Sequence, residues 1–141
     1  MIVLDTNVLS ELMRPAADPA VASWANRIPI SDLFTTAVTQ AEILAGLAVL
    51  PAGKRRGDLA IAAANVFDQL FFSRVLFFDT GAALQYAGVY AARRRAGRPI
   101  AVLDCQIAAI ARAAGAAVAT RNVKDFEGCG IEIVNPWIAG S

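Results

Sequence analysis

Short runs of apolar or β-prone residues alternate along this chain with longer stretches of helical spacing. The first run, Ile2-Val3-Leu4, stops at Asp5, and a short helix is predicted from about Asn7 to Met13, where Arg14 and Pro15 end it. Asp18 before Pro19 reads as an N-cap with proline at the first helical position, opening a helix through Ala25. Residues 33–37 are strand-like, residues 39–50 helical up to Pro51-Ala52-Gly53, and residues 54–70 form one long predicted helix. A third strand is expected over residues 75–78, with Asp79 or Thr80 capping a helix to about Arg95. Beyond Gly97-Arg98-Pro99, residues 102–114 are helical with Gly115 in the terminating position, and residues 116–119 and 131–134 supply two more strands. Strands alternating with helices predict an α/β fold, a parallel sheet with helices on both faces.

Composition narrows the chemistry. At 141 residues the chain fits one domain, residues 1–141. It is 57% hydrophobic and 18% charged, a surplus of apolar side chains that a sheet buried on both faces and a subunit or partner interface would absorb. No apolar run is long enough for a membrane-spanning helix, and the N-terminus lacks the basic segment of a signal peptide, so a cytoplasmic protein with no membrane partner is expected. A net charge of +1 gives no global basic field. Cys105 and Cys129 make no disulfide framework or zinc motif. The chain has no histidine, which excludes Ser-His-Asp and Cys-His nucleophiles and imidazole general bases.

The acids carry the strongest signal. Asp5 follows the first strand, Glu42 lies near the start of the helix after the second, Asp104 opens the helix over residues 102–114, and Thr120-Arg121-Asn122-Val123-Lys124-Asp125 follows the fourth strand. Each has a structural reading of its own. Asp5 suits an Asx-turn and Asp79 a cap. Glu42 completes a Thr39-x-x-Glu42 capping box, Asp104 faces a favourable helix dipole, and Asp125 is a solvated acid. Their recurrence at one end of successive strand–helix units, where ligands bind parallel sheets, points instead to a shared site. Gathered carboxylates repel and raise one another's pKa unless a cation lies among them, and the fitting cation is magnesium or manganese.

The motifs Leu4-Asp5-Thr6-Asn7-Val8-Leu9, Thr39-x-x-Glu42-Ile43-x-x-Gly46, Leu103-Asp104-x-x-Ile107-Ala108-Ala109 and Ala119-Thr120-Arg121-Asn122-x-x-Asp125-Phe126 resemble, in order, those of PIN domains. The closing Val134-Asn135-Pro136-Trp137 is similar to the C-terminus of the VapC/FitB-type toxins in that family. The resemblance implies a three-layer α/β/α fold with a central parallel five-stranded sheet. It also implies a magnesium-dependent endoribonuclease that cleaves RNA phosphodiester bonds with metal-activated water. Such a toxin forms a homodimer, or a larger assembly with the cognate antitoxin that restrains it. By the same resemblance Asp5, Glu42 and Asp104 form the metal-binding core, with Mn2+ able to replace Mg2+. The family's fourth acid falls on Asn122, a departure: the position is served either by Asn122, whose amide can ligate magnesium or hold its water, or by Asp125, one short turn on. Thr6 and Thr120 are hydroxyls placed to orient a water or a phosphate.

Two basic clusters, Lys54-Arg55-Arg56 and Arg93-Arg94-Arg95 with Arg98, are either phosphate contacts or solvated helix ends. Trp24 and Trp137 read as core or interface residues, and the apolar helices after Glu42 and Lys54 as an antitoxin docking surface. Two other functions compete. A phosphatase of the haloacid dehalogenase kind also has an aspartate after its first strand but needs a second acid two residues on, where this chain has Asn7. A catalytically impaired PIN-fold RNA- or protein-binding module is favoured only by Asn122.

Overall fold

Successive side chains of a strand point to opposite faces, so Val3 and Leu4 can both be fully buried only if both faces of the sheet are covered. They are. The computed structural model describes residues 1–138, and its centre is β1 (Ile2–Leu4), which pairs in parallel with β2 (Leu33–Thr36) on one side and β4 (Ala117–Ala119) on the other. The outer strands β3 (Val75–Leu76) and β5 (Ile133–Val134) complete an all-parallel five-stranded sheet in the order β3-β2-β1-β4-β5. Val3 and Val118 pack on one face with α5 (Thr80–Arg95), α6 (Val102–Ala114) and α7 (Val123–Phe126), around Val89, Ile107, Ala108, Ala111 and Phe126. Leu4 and Ala119 pack on the other with α1 (Thr6–Leu12), α2 (Pro19–Asn26) and α4 (Lys54–Asn65), around Val8, Leu9, Val21, Trp24 and Ala63. The result is the expected three-layer α/β/α architecture. No helix among the described residues is long and apolar enough to cross a membrane.

Local signals set most boundaries. Asp18 accepts from the Ala20 amide at 2.8 Å, and Asp79 from the Ala82 amide at 2.9 Å, each closing the start of its helix. Gly115 ends α6 at φ 67°, the left-handed conformation that glycine adopts without strain. An added Cβ would meet nothing within 4 Å there, so Gly115→Ala should lose about 1 kcal/mol from backbone strain alone, read from urea unfolding.

Three expectations are corrected. The cap of α3 (Ala37–Ala48) is Thr36, whose hydroxyl accepts from the Thr39 amide at 3.0 Å, so Glu42 lies in the second helical turn and takes part in no capping box. The helix after Pro51 keeps α geometry only to Asn65 and widens into a π-type turn over Val66–Leu70. The third strand ends at Leu76, leaving Phe77 and Phe78 exposed beyond it. A short 3₁₀ turn at Ile30–Asp32 has no counterpart among the expected elements.

Candidate active site

The chain runs outward from β1 through β2 to β3 and then returns to place β4 on the other side of β1, so the direction of winding switches between β1 and β4. A crevice opens beyond the carboxyl ends of strands at such a point. Asp5 stands at the end of β1 and Thr120 at the end of β4, and both are buried. One Asp5 oxygen accepts from the Thr6 amide at 2.8 Å; the other accepts from the Thr120 hydroxyl and from Asn7 Nδ2, each at 2.9 Å. Asn7 ties the two strand ends together further, for its Oδ1 accepts from the Arg121 amide at 3.1 Å. The sequence alone gives Asn7 no part in holding Asp5.

Because Thr36 takes over the cap, Thr39 and Glu42 are free to face α1. Thr6 donates from Oγ1 to Glu42 Oε1 at 2.7 Å and lies 3.1 Å from the Thr39 hydroxyl. Thr6 thereby links two of the acids, its amide to Asp5 and its hydroxyl to Glu42. Asp104, in the first turn of α6, is half-buried and accepts no hydrogen bond among the described residues. Burial, followed by the charges of Asp5, Asp125 and Glu42, pushes its pKa up to about 6, against a smaller opposing pull from Arg93. Burial also raises Asp5, while its three donors and the Glu42 charge act in opposite senses on it.

Asp5, Asp125 and Glu42 thus lie near enough for their charges to bear on Asp104, and none of the four forms an ion pair among the described residues. Asn122 is not joined to them. It caps α7, its amide donates to the Thr120 hydroxyl at 3.0 Å, and its exposed side chain makes no hydrogen bond among the described residues. The donor set, hard carboxylate oxygens carrying uncompensated negative charge, fits a divalent cation such as magnesium. As they stand, no three carboxylate or thiol side chains among the described residues are close enough to enclose an ion, so water would complete the coordination.

The basic clusters divide. Arg93 is buried and directs its hydrogen bonds to main-chain carbonyls, so it is no phosphate contact. Arg98 pairs with Glu127 at 3.1 Å. Lys54, Arg55 and Arg56 open α4 rather than end it, where the helix dipole opposes them, and Lys54 offsets this by pairing with Asp58 at 3.0 Å. Trp24 is a core residue, while the half-buried Trp137 carries the Arg121 guanidinium 4.9 Å above its ring. A groove of about 900 Å³ runs from Thr6 and Glu42 between α1, α3 and α4, with Met13, Ile43, Leu47 and Leu59 along its walls.

A parallel α/β/α sheet that gathers acids at its switch point, in the motif order of this chain, defines a PIN-like fold. The chain belongs to the PIN domain family, whose pattern matches residues 2–127. It is 43% identical over 137 residues to the VapC ribonuclease Y4jK of Sinorhizobium fredii, covering 97% of this chain and 98% of that protein. It is 36% identical to the toxin FitB of Neisseria gonorrhoeae, covering 97% and 99%. In the solved structure of FitAB bound to a DNA fragment, one chain superposes with a TM-score of 0.91 at 36% identity, covering 97% of this chain and 96% of that one.

Proposed function

We propose that this chain, as a single PIN domain, is the magnesium-dependent endoribonuclease of a toxin–antitoxin pair. The observation that carries the reading is that the charges of Asp5 and Glu42 bear on Asp104 at the switch point and none of the three forms an ion pair among the described residues, which leaves Asp104 raised to about 6 despite a smaller pull from Arg93. Likeness to a VapC ribonuclease and to the FitB toxin supports it. Asp5 and Asp104 would hold the ion, with Glu42 as a further ligand or as the group that orients the attacking water. When bound, magnesium lowers the pKa of water and neutralises charge on the scissile phosphate. The protein's own contribution is order: Thr6 and Asn7 fix Asp5, Thr6 fixes Glu42, and Thr120 holds both Asp5 and the Asn122 amide. With no histidine in the chain, proton transfer falls to carboxylates and water.

An antitoxin partner follows from the assembly of FitB with FitA in a solved complex. The groove beside Thr6 and Glu42 suits an amphipathic helix of such a partner, which would cover the site while it docks. A homodimer is supported by the exposed apolar side chains Phe77, Leu84, Val102 and Leu103. The reading places the protein in the cytoplasm, where its RNA lies.

The test is cleavage of a mixed cellular RNA pool by purified, antitoxin-free protein. Discrete cuts with magnesium or manganese, abolished by chelator, are the expected result. Absence of cutting by folded protein with either metal would replace this reading with that of an impaired binding module, which the unengaged Asn122 favours.

A further inference from the structure

Arg93 ends α5 in a run of three arginines, yet it alone is buried, 5% exposed. A buried cation is costly unless fully hydrogen-bonded, and here carbonyls rather than a carboxylate satisfy it. Its Nε donates to the Arg98 carbonyl at 2.7 Å, and its Nη1 donates to the carbonyls of Asp125 at 2.9 Å, Glu127 at 2.7 Å and Lys124 at 3.3 Å. Arg98 adds a second clamp on the same segment, from Nη2 to the Lys124 carbonyl at 2.9 Å and from Nη1 to Glu127 Oε2 at 3.1 Å. What the two arginines grip is α7, a single turn that is too short to hold itself. That turn carries Asp125, whose charge bears on Asp104 more strongly than that of Glu42 does.

We propose that Arg93 is a positioning residue for the metal site: by clamping the carbonyls of α7 from α5, it holds Asp125 toward Asp104 and so lets Asp125 serve as the fourth acid in place of Asn122. This rests on the reading of the site as a metal-dependent nuclease. Arg93 would touch neither RNA nor metal; beyond the direct pull of its charge on Asp104, which lysine would keep, it acts through the turn it holds. Its neighbours Arg94 and Arg95 do not share the role, because neither reaches α7: Arg94 donates to the Tyr90 hydroxyl, and both are exposed.

The experiment measures Mn2+ affinity, by the electron paramagnetic resonance signal of the free ion, for the full chain and for Arg93→Lys, Asp125→Asn and the double variant. Lysine keeps the charge but has a single nitrogen in place of the guanidinium fork, so it cannot hold the Arg98 carbonyl and the α7 carbonyls together. Each single variant is expected to bind Mn2+ about tenfold more weakly, the usual loss when a group that supports a ligand is removed. The double variant should bind no more weakly than Asp125→Asn. Unchanged affinity in folded Arg93→Lys, or losses that simply multiply in the double variant, would overturn the proposal. If Arg93→Lys fails to fold, the exposed Arg98→Ala decides: a smaller loss that disappears in the Asp125→Asn background upholds the clamp, and no loss overturns it. Wild-type protein that binds Mn2+ but cuts no RNA would defeat the nuclease reading and leave the clamp standing. Wild-type protein that binds no Mn2+ would defeat both.

Discussion

Replacement of Asp104 by asparagine is expected to lower RNA cleavage by at least about 10³-fold and, in metal-free protein at pH 7.5, to raise the melting temperature by about 4 °C. The two effects have one cause. Asp104 sits half-buried among Asp5, Asp125 and Glu42, and its pKa is raised from 3.8 to about 6. The native state therefore holds this proton more tightly than the unfolded chain does. Stability from this group is fully present below pH 4 and falls as the pH rises toward 6. Above that, the charged carboxylate is a net burden on the fold. Asparagine mimics the protonated acid, so its benefit should appear above pH 6 and vanish below pH 4. Solvent reaches this half-buried group, and the benefit after discounting for that screening is roughly 1 kcal/mol. Magnesium should reverse the order of stability, because it binds and stabilises the wild-type site preferentially. Asp5→Asn should likewise lose cleavage but gain no stability. Its amide would present a donor to Thr120 or Asn7, both of which now donate to Asp5. Thermal melts at pH 4 and 7.5, with and without magnesium, check the set. An Asp104→Asn protein that melts no higher than wild type at pH 7.5 would show that the acids do not strain this fold.

How much of this was legible beforehand depended on how local the cause was. Asp18-Pro19, Asp79 and Gly115 act on their own helix ends, and those boundaries were read to within a residue. The choice between Thr36 and Thr39 as cap was not local. Both are threonines able to cap, and the contact of Thr39 with Thr6, 33 residues earlier, accompanies the shift to Thr36. That shift turns Glu42 from a capping residue into a partner of Thr6. The alternation of strands and helices placed Asp5, Glu42 and Asp104 at one end of the sheet, since the direction of a parallel strand fixes where its loops lie. It could not show that Asp104 lacks a donor, or that the exposed Asn122 side chain makes no hydrogen bond among the described residues while α7 is clamped from α5. Arg93 was indistinguishable from Arg94 and Arg95 because its acceptors lie about thirty residues further on. The early end of β3 and the widening at Val66 had no evident signal in composition either.

Asn7→Asp, a change of one atom type with no change of shape, is expected to destabilise the metal-free protein by roughly 3 kcal/mol at pH 7.5, enough to lower the melting temperature by about 10 °C. Asn7 Nδ2 is a donor 2.9 Å from Asp5 Oδ2 and 3.4 Å from the Thr120 hydroxyl. Aspartate would replace that donor with an anionic oxygen against a carboxylate already raised by burial. The other end of the side chain would still accept from the Arg121 amide, so the loss is confined to the Nδ2 contacts with Asp5 and, more weakly, Thr120. Asn7→Ala also gives up the brace between the ends of β1 and β4 but places no charge beside Asp5. It should therefore be the milder variant, although it removes more atoms. Lowering the pH to 4.5 should narrow the gap between the two, because one carboxyl of the new pair then takes up a proton. Urea unfolding of both variants at the two pH values gives the ranking directly. If Asn7→Asp is as stable as Asn7→Ala at pH 7.5, Asn7 is not the donor that steadies Asp5. The expected ranking also bears on why this site differs from that of an aspartate-nucleophile phosphatase, which places a second acid at this spacing. In this chain the position is occupied by the donor that lets Asp5 remain buried.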